Sequence, residues 1–253
     1  MQPNTTKAKL KRGETVFGCF VRYPEASLVE VLALQEWDFL VFDAEHGVVE
    51  PRDCENMTRA AELRGVTPIV RVTTNYPPII LRFMDVGVHG LLVPWVNSRE
   101  EAERAVRSIK YYPRGIRGLA GVRASDYGQT TTLDVYTQQA NTETLVVLQV
   151  ETAQAVENLT EILAVADIDV VFIGPTDLSH SLGLPGQVEH PRVQAEINRI
   201  VDAVAQTDKA LGIMVTNQEA AKKWQDRGAR FIAIGFESVL CPAVRSYLSA
   251  VRH

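Results

Sequence analysis

Residues 144–183 have the sequence TLVVLQVETAQAVENLTEILAVADIDVVFIGPTDLSHSLG, and this stretch decides the fold. It holds two short apolar runs, TLVVLQV and DVVFIG, which are rich in Val, Leu and Ile and almost continuous in hydrophobicity. Such runs predict strands that are covered on both faces. Thr152 follows the first run, at a position where it can N-cap a helix. The stretch therefore predicts a strand, a helix and a second strand, which together form the unit of a parallel α/β sheet.

The same alternation extends over the whole chain. Six further apolar runs lie between helical segments: TVFGCF (15–20), DFLVF (38–42), TPIVRV (67–72), GLLVPW (90–95), ALGIMV (210–215) and RFIAIG (230–235). Ser98 with Glu101 forms a capping-box pattern, and Asn217 is placed to cap a later helix. Glycines suited to ending a helix stand just before three of the strands: Gly65, Gly87 and Gly228.

Eight strands that alternate with helices allow either a closed barrel or an open, doubly wound sheet. No G-x-G-x-x-G pattern follows the first strand, which removes the main support for an open dinucleotide-binding sheet. No Pro- or Ser-rich linker and no shift in composition divides the chain. We therefore predict an α/β fold of the (β/α)8 TIM-barrel type, with residues 1–253 forming a single domain.

Composition and charge narrow the possible classes of function. Of the 253 residues, 46% are hydrophobic and 23% are charged, as in an ordinary soluble globular protein. The net charge is −5 and the basic residues are scattered, so we expect no nucleic-acid partner. The N-terminal stretch is polar, and the three cysteines are far apart in the sequence. We expect a cytoplasmic protein with reduced thiols, without a signal peptide, membrane anchor or membrane partner.

Polar residues concentrate at the C-terminal ends of the predicted strands, where a barrel carries its active site. They are DAEHG (43–47) after the second strand, Arg71 in the third, Gln149 and Glu151 at the end of the fifth, and GPTD (174–177) after the sixth. Ionisable groups from four strands therefore share one rim, which makes this rim the candidate active site.

Each of these residues also has a structural interpretation. An acid at a strand end often caps the next helix; Asp177 suits that role, whereas Glu151 does not, because Thr152 supplies the cap. Arg71 in an apolar strand is compatible with a structural ion pair, and its permanent charge requires an anion nearby. Because Glu151 and Asp177 are expected on adjacent strands, the pair favours a site for Mg²⁺ or Mn²⁺. His46 suits a structural hydrogen bond as well as a general base.

The positions of the lysines argue against imine chemistry. A Schiff-base aldolase needs a lysine near the C-terminal strand ends. The lysines of this chain are expected in the N-terminal segment, on helices or just before a strand: Lys7, Lys9, Lys11, Lys110, Lys209, Lys222 and Lys223. A carbon–carbon lyase with this sequence would therefore stabilise its enolate with a metal ion.

Six segments of the chain resemble the HpcH/HpaI aldolases in order and spacing. They are FDAEHG (42–47), PIVRV (68–72), DVGVHGLLVPWV (85–96), YYPRGIRG (111–118), LQVET (148–152) and VFIGPTDLSHSLG (171–183). The resemblance covers essentially the whole chain. It implies a (β/α)8 barrel that assembles as a homo-hexamer through an exchanged helix, and an aldolase that needs a divalent metal (Mg²⁺, Mn²⁺ or Co²⁺).

The resemblance also implies which residues bind the metal and the pyruvate part of the substrate. Glu151 and Asp177 would hold the metal, which chelates pyruvate. Gln149 and the backbone from Gly174 to Thr176 would bind the pyruvate moiety, its carboxylate resting on a helix N-terminus. Thr176 departs mildly from the family, which often has a smaller residue there.

Further roles follow from the same resemblance. Arg71 would stabilise the enolate oxygen, and His46 would act as the acid and base, assisted by an acid at the position of Asp85. The sequence places Asp85 at the end of a helix on the opposite rim, so a neighbouring subunit would have to supply or frame it. The loop at 118–128 is slightly shorter than its counterpart in the family. Arg123 within it could still meet a substrate carboxylate, so the identity of the acceptor aldehyde does not transfer.

These observations lead to the hypothesis of a class II pyruvate aldolase, which reversibly splits a 4-hydroxy-2-oxo acid into pyruvate and an aldehyde. One alternative is an oxaloacetate decarboxylase or related lyase that forms the same enolate. Another is a non-catalytic barrel that binds an oxo acid. The intact set of Arg71, Glu151, Asp177 and His46 favours the enzyme.

Overall fold

Every apolar run quoted above forms a strand, and the strands close into a barrel in the order β1 to β8. The computed structural model describes residues 2–252 of the chain. The strands are β1 (Val16–Val21), β2 (Phe39–Asp43), β3 (Thr67–Arg71), β4 (Gly90–Val93), β5 (Leu145–Val150), β6 (Val170–Ile173), β7 (Ala210–Val215) and β8 (Ala229–Gly235). All neighbouring strands run parallel, and β8 pairs with β1. The predicted (β/α)8 barrel is confirmed.

Helices cover the N-terminal mouth and the outside of the barrel. They are α1 (Thr5–Lys11), α2 (Ala26–Ala33), α3 (Pro51–Glu62), α4 (Pro77–Asp85), α5 (Arg99–Ile109), α6 (Leu133–Glu143), α7 (Ala153–Glu157), α8 (Leu159–Leu163), α9 (Pro175–Ser181), α10 (Pro191–Val204), α11 (Gln218–Asp226) and α12 (Phe236–Val251), with a 3-10 helix at Arg123–Gly128. None of the helices within residues 2–252 is both long and apolar enough to cross a bilayer.

The predicted helix boundaries are confirmed at several points. Hydroxyl or amide oxygens of Ser98, Thr152 and Asn217 each accept a hydrogen bond from the backbone N–H three residues later. The capping box at Ser98 is modified, because the Glu101 carboxylate accepts from the backbone N–H of Asn97 at 2.7 Å. The three helix-ending glycines all have positive φ: Gly65 (71°), Gly87 (94°) and Gly228 (90°).

Side chains at alternate strand positions fill the inside of the barrel. On β1 these are Val16 and Phe20, and Gly18 stands between them. A Cβ atom at Gly18 would lie 2.3 Å from the ring of Phe39, so glycine leaves the space that this ring occupies. The Phe39 ring in turn stacks on Phe231 with 4.0 Å between centroids. This interior is a packed apolar core, and the next inward positions lie at the C-terminal rim.

The sequence predicted no helix or strand in the polar N-terminal segment. In the structure this segment forms helix α1, which covers the N-terminal mouth of the barrel. Leu10 belongs to the interior apolar cluster. The Lys7 ammonium donates to the backbone carbonyl of Thr144 at 2.8 Å and to the Asp169 carboxylate at 2.9 Å. Thr144 and Asp169 immediately precede β5 and β6, so α1 ties the starts of separate strands together.

Lys110 is fully buried close to helix α1. Its ammonium donates to the carbonyls of Asn141 at 2.9 Å and Thr144 at 2.8 Å. Burial, with a contribution from the nearby charge of Lys7, lowers the pKa of Lys110 to about 7. Both carbonyls have a second donor, since Arg114 also reaches Asn141 and Lys7 also reaches Thr144.

We predict that Lys110→Met flattens the pH dependence of stability. The unfolded chain keeps this proton up to the ordinary pKa of 10.5, whereas the folded chain releases it at about 7. Between these values the unfolded state binds more protons, so the free energy of unfolding of the native protein rises with pH, by at most ~1.4 kcal/mol per pH unit. Urea titrations of both proteins across this interval measure the effect, with exposed Lys222→Met as the control. Parallel pH profiles for the native protein and Lys110→Met would contradict the prediction.

Candidate active site

The rim of the barrel carries a buried ion pair between Asp43 and Arg71. These two residues end β2 and β3 and lie side by side in the strand register. Nε and Nη2 of Arg71 donate to the two carboxylate oxygens of Asp43 at 2.9 Å and 2.7 Å, and both side chains are almost completely buried. Burial alone would raise the pKa of Asp43, but the hydrogen bonds and charge of Arg71 outweigh it and leave that pKa below its usual value. The anion that the charge of Arg71 requires is therefore Asp43.

Glu45 adds a second carboxylate to Arg71. Its Oε2 lies 3.2 Å from Nη1 of Arg71 and 3.8 Å from Nε2 of His46. Burial raises the pKa of Glu45, and the charge of Arg71 only partly opposes this. The His46 side chain is 55% exposed, so it stands at the solvent side of the site.

Trp95, just after β4, positions two carboxylates at once. Its backbone N–H donates to Oε1 of Glu151 at 2.7 Å, and its indole N–H donates to Oε1 of Glu45 at 3.2 Å. The φ angle of Trp95 is 55°, a left-handed conformation that costs a non-glycine residue free energy. The strained backbone thus holds carboxylates from the ends of β2 and β5 in one site.

Glu151 is the most perturbed acid of the rim. Burial, together with the nearby carboxylates of Glu45 and Asp177, raises the pKa of Glu151 to about 7, although the hydrogen bond from the backbone of Trp95 opposes the shift. The Gln149 amide donates to the other oxygen of Glu151. A Cβ atom at Gly174 would lie 2.6 Å from that oxygen, so this backbone comes close only because residue 174 is a glycine.

The donor set is compatible with a hard divalent cation. Glu45, Glu151 and Asp177 place like charges near one another, an arrangement that a cation would stabilise. Oε1 of Gln149 is buried and has no hydrogen-bond partner among the described residues. No cluster of three or more His, Cys, Asp or Glu side chains suited to a metal occurs within residues 2–252. Two carboxylates completed by water and substrate oxygens are nevertheless typical of Mg²⁺ sites.

The structure gathers most of the candidate site residues and separates two of them. Seven candidate residues lie at the C-terminal ends of β2, β3, β5 and β6: His46, Arg71, Gln149, Glu151, Gly174, Thr176 and Asp177. Asp85 ends α4 and pairs with Arg117 at 2.9 Å. Arg123 pairs with Glu62 and donates to the carbonyl of Val86 at 2.9 Å. Within one chain, Asp85 and Arg123 therefore lie on the side where β4 begins, and another copy would have to bring them to this rim.

Three residues of the site were given no role from the sequence, although Asp43 and Glu45 belong to the DAEHG segment that was predicted at this rim; the third is Trp95. Asp43 follows Phe39 and Val41 at alternate positions, so the inward pattern of β2 could have identified it. Glu45 lacks such a signal, because it stands in a loop. Nothing in the sequence around Trp95 indicates a positive φ angle.

A closed (β/α)8 barrel with crowded acids at its C-terminal mouth has the architecture of the barrel enzymes. The sequence profile described as HpcH/HpaI aldolase/citrate lyase matches residues 16–243. The chain belongs to this family.

Two relatives are similar in sequence to this chain over nearly its whole length. The hydroxypyruvate/pyruvate aldolase of Roseobacter denitrificans is 38% identical over 236 residues, which is 92% of this chain and 91% of the relative. The 4-hydroxy-2-oxo-heptane-1,7-dioate aldolase of Shigella flexneri is 36% identical over 249 residues, 98% of this chain and 92% of the relative. A crystal structure of a family member from Burkholderia cenocepacia J2315 superposes with a TM-score of 0.93 at 33% identity, covering 99% and 100% of the two chains.

We predict that Arg71→Met lowers the free energy of unfolding by about 3–5 kcal/mol, because the buried Asp43 carboxylate loses its two short charge-assisted hydrogen bonds and keeps only the more distant Arg22 as a cationic partner. Urea denaturation at neutral pH measures the loss. The control Arg199→Gln removes an exposed ion pair on α10 and should cost at most about 1 kcal/mol. Adding Asp43→Asn to Arg71→Met should restore much of the stability, since the buried charge is gone. A loss no larger than that of the control would show that the ion pair does not stabilise the rim.

Proposed function

We propose that this protein is a divalent-metal-dependent pyruvate aldolase, which reversibly cleaves a 4-hydroxy-2-oxo acid to pyruvate and an aldehyde. The observation that carries the proposal is the buried Glu151 carboxylate, crowded by Glu45 and Asp177 at the barrel mouth. The names of the relatives from Roseobacter denitrificans and Shigella flexneri support the same chemistry. Both are aldolases, and both cover more than nine-tenths of the chain.

The pyruvate half of the substrate is assigned to the ends of β5 and β6. Glu151 and Asp177 would hold the metal ion, which supplies positive charge to stabilise an enolate when bound. The substrate-facing groups beside them are the Gln149 side chain and the backbone from Gly174 to Thr176. The glycine at 174 lets this backbone approach closely, and α9 begins immediately after it.

Arg71 is assigned to the developing enolate oxygen. Asp43 and Glu45 fix the plane of its guanidinium, so the group does not have to reorganise during the reaction. His46 is assigned to the proton of the C4 hydroxyl, which has to leave before the C3–C4 bond can break. Returning a proton to C3 then releases pyruvate.

An assembly of several copies is part of the proposal. Helix α12 has no buried residue along Phe236–Val251 and exposes an apolar set. The set consists of Val239, Leu240, Val244, Tyr247 and Val251. We propose that this face packs on a second copy in a homo-hexamer, and that the assembly brings Asp85 towards the His46 of a neighbour and Arg123 towards its substrate. Sedimentation velocity on the full chain tests the assembly, and a monomer at micromolar concentration would count against it.

Proton exchange into pyruvate tests the proposed function directly. With Mg²⁺, Mn²⁺ or Co²⁺ in D2O, we expect the protein to exchange the methyl protons of pyruvate, and chelation should abolish the exchange. Glu151→Gln keeps the shape of the side chain but loses its charge, so exchange should fall by roughly 10²-fold or more. The control Glu196→Gln on α10 should not affect it.

Two results of that experiment would contradict the proposal. Absence of exchange with every metal would favour a barrel that only binds an oxo acid. Exchange that survives chelation, together with borohydride trapping of pyruvate on a lysine, would replace the metal mechanism with an imine.

A second experiment distinguishes the role of His46 from the roles of the other site residues. Aldol cleavage needs a proton taken from the C4 hydroxyl, whereas loss of CO2 from oxaloacetate does not, although both form the pyruvate enolate. We predict that His46→Ala lowers aldol cleavage by about 10²–10⁴-fold and lowers decarboxylation clearly less. Both rates are measured on one preparation with saturating metal. Equal losses would assign His46 a structural role, or a role in forming the enolate itself.

A further inference from the structure

Arg22 occupies an inward position at the rim that the proposed reaction does not yet use. Strand β1 ends at Val21, which pairs with Phe42, so Arg22 follows beside Asp43. Phe20 lies two residues earlier and points into the barrel interior, and the alternation of the strand turns Arg22 to the same side. Arg22 therefore belongs to the polar rim above the apolar core.

The charge of Arg22 is only loosely compensated. Its Nε lies 3.4 Å from Oδ2 of Asp43, and its Nη1 lies 3.8 Å from Oε1 of Glu237. Asp43 does not depend on Arg22, since Arg71 donates two shorter hydrogen bonds to it. The Arg22 side chain is 40% exposed, whereas the Arg71 side chain is 8% exposed. A guanidinium held in this way is available to an anion that enters the site.

The position of Arg22 also indicates which part of a substrate it would meet. In a ring of eight strands, β1 lies across the mouth from β5, the strand that ends at Gln149 and Glu151. A substrate whose pyruvate end is held there extends across the mouth, so its other end comes towards β1.

We propose that Arg22 binds a carboxylate on the aldehyde half of the substrate, so that the preferred substrates are 4-hydroxy-2-oxo diacids. The planar guanidinium fork matches a carboxylate in bidentate geometry. Arg123, the other candidate for this role, is paired with Glu62 at the opposite end of the same chain, so it could contact this carboxylate only from a neighbouring copy, whereas Arg22 lies at the rim of the same barrel. The proposal rests on the aldolase function proposed above and assigns the specificity of that same site.

The test compares two acceptor aldehydes of similar size, glyoxylate and glycolaldehyde, of which only glyoxylate is charged. Aldol addition of pyruvate to each is measured with saturating Mn²⁺, for the native protein, Arg22→Gln and Arg22→Lys. We expect the native protein to prefer glyoxylate. In Arg22→Gln the ratio of kcat/KM for glyoxylate to kcat/KM for glycolaldehyde should fall by about 10- to 100-fold, the usual effect of removing one charge-assisted hydrogen bond. Arg22→Lys should lie between the two, because it keeps the charge and loses the fork.

The remaining outcomes separate this proposal from the aldolase function. If the native protein shows no preference for glyoxylate, or if Arg22→Gln slows both acceptors equally, Arg22 does not recognise the carboxylate. The proton exchange of pyruvate is followed in parallel, and its presence in Arg22→Gln shows that the variant is folded. Absence of that exchange in the native protein would contradict the aldolase function itself, and the assignment of Arg22 with it.

Discussion

Side chains alternate along every strand of a closed barrel, so an inward residue always faces the inward residues of the neighbouring strands. Below the rim the chain satisfies this constraint with aromatic and aliphatic groups such as Phe20, Phe39 and Phe231. At the rim the same positions carry ions, which are costly to bury unless they are paired. Arg71 compensates Asp43 fully, but Glu151 has carboxylates rather than cations as its charged neighbours. This placement of acids without a compensating cation is the reason that we propose a metal ion at the mouth of the barrel.

The fold could be predicted from the sequence because each of its signals is local. The eight apolar runs, the caps at Ser98, Thr152 and Asn217 and the helix-ending glycines all depend on neighbours within a few residues. Helix α1 was not predicted, because the signals that identify it are not local. Its segment is polar, and its burial depends on Thr144 and Asp169, which are far away in the sequence.

The candidate site could be predicted only in part. Glu151 and Asp177 stand out because they follow strands in a barrel, so their chain position alone places them on one rim. The role of Trp95 depends on a backbone angle, and that of Arg22 depends on which strand lies opposite β5. Asp85 and Arg123 were chosen through resemblance. A single chain leaves both at the other end of the barrel, because helices following strands return the chain to the side where the next strand begins.

Helix α1 has a consequence for the order of folding. Helix α1 leaves the ribosome before the barrel strands, yet the Lys7 ammonium pairs with Asp169, 162 residues further along the chain, and the backbone N–H of Asn4 donates to Glu143, 139 residues further along. These contacts of helix α1 with Glu143, Thr144 and Asp169 can form only after most of the barrel has been synthesised. Contacts of such long sequence separation form late and slow folding. Until then the Asp169 carboxylate lacks its partner Lys7, so we expect the N-terminal mouth of the barrel to close completely only late in folding.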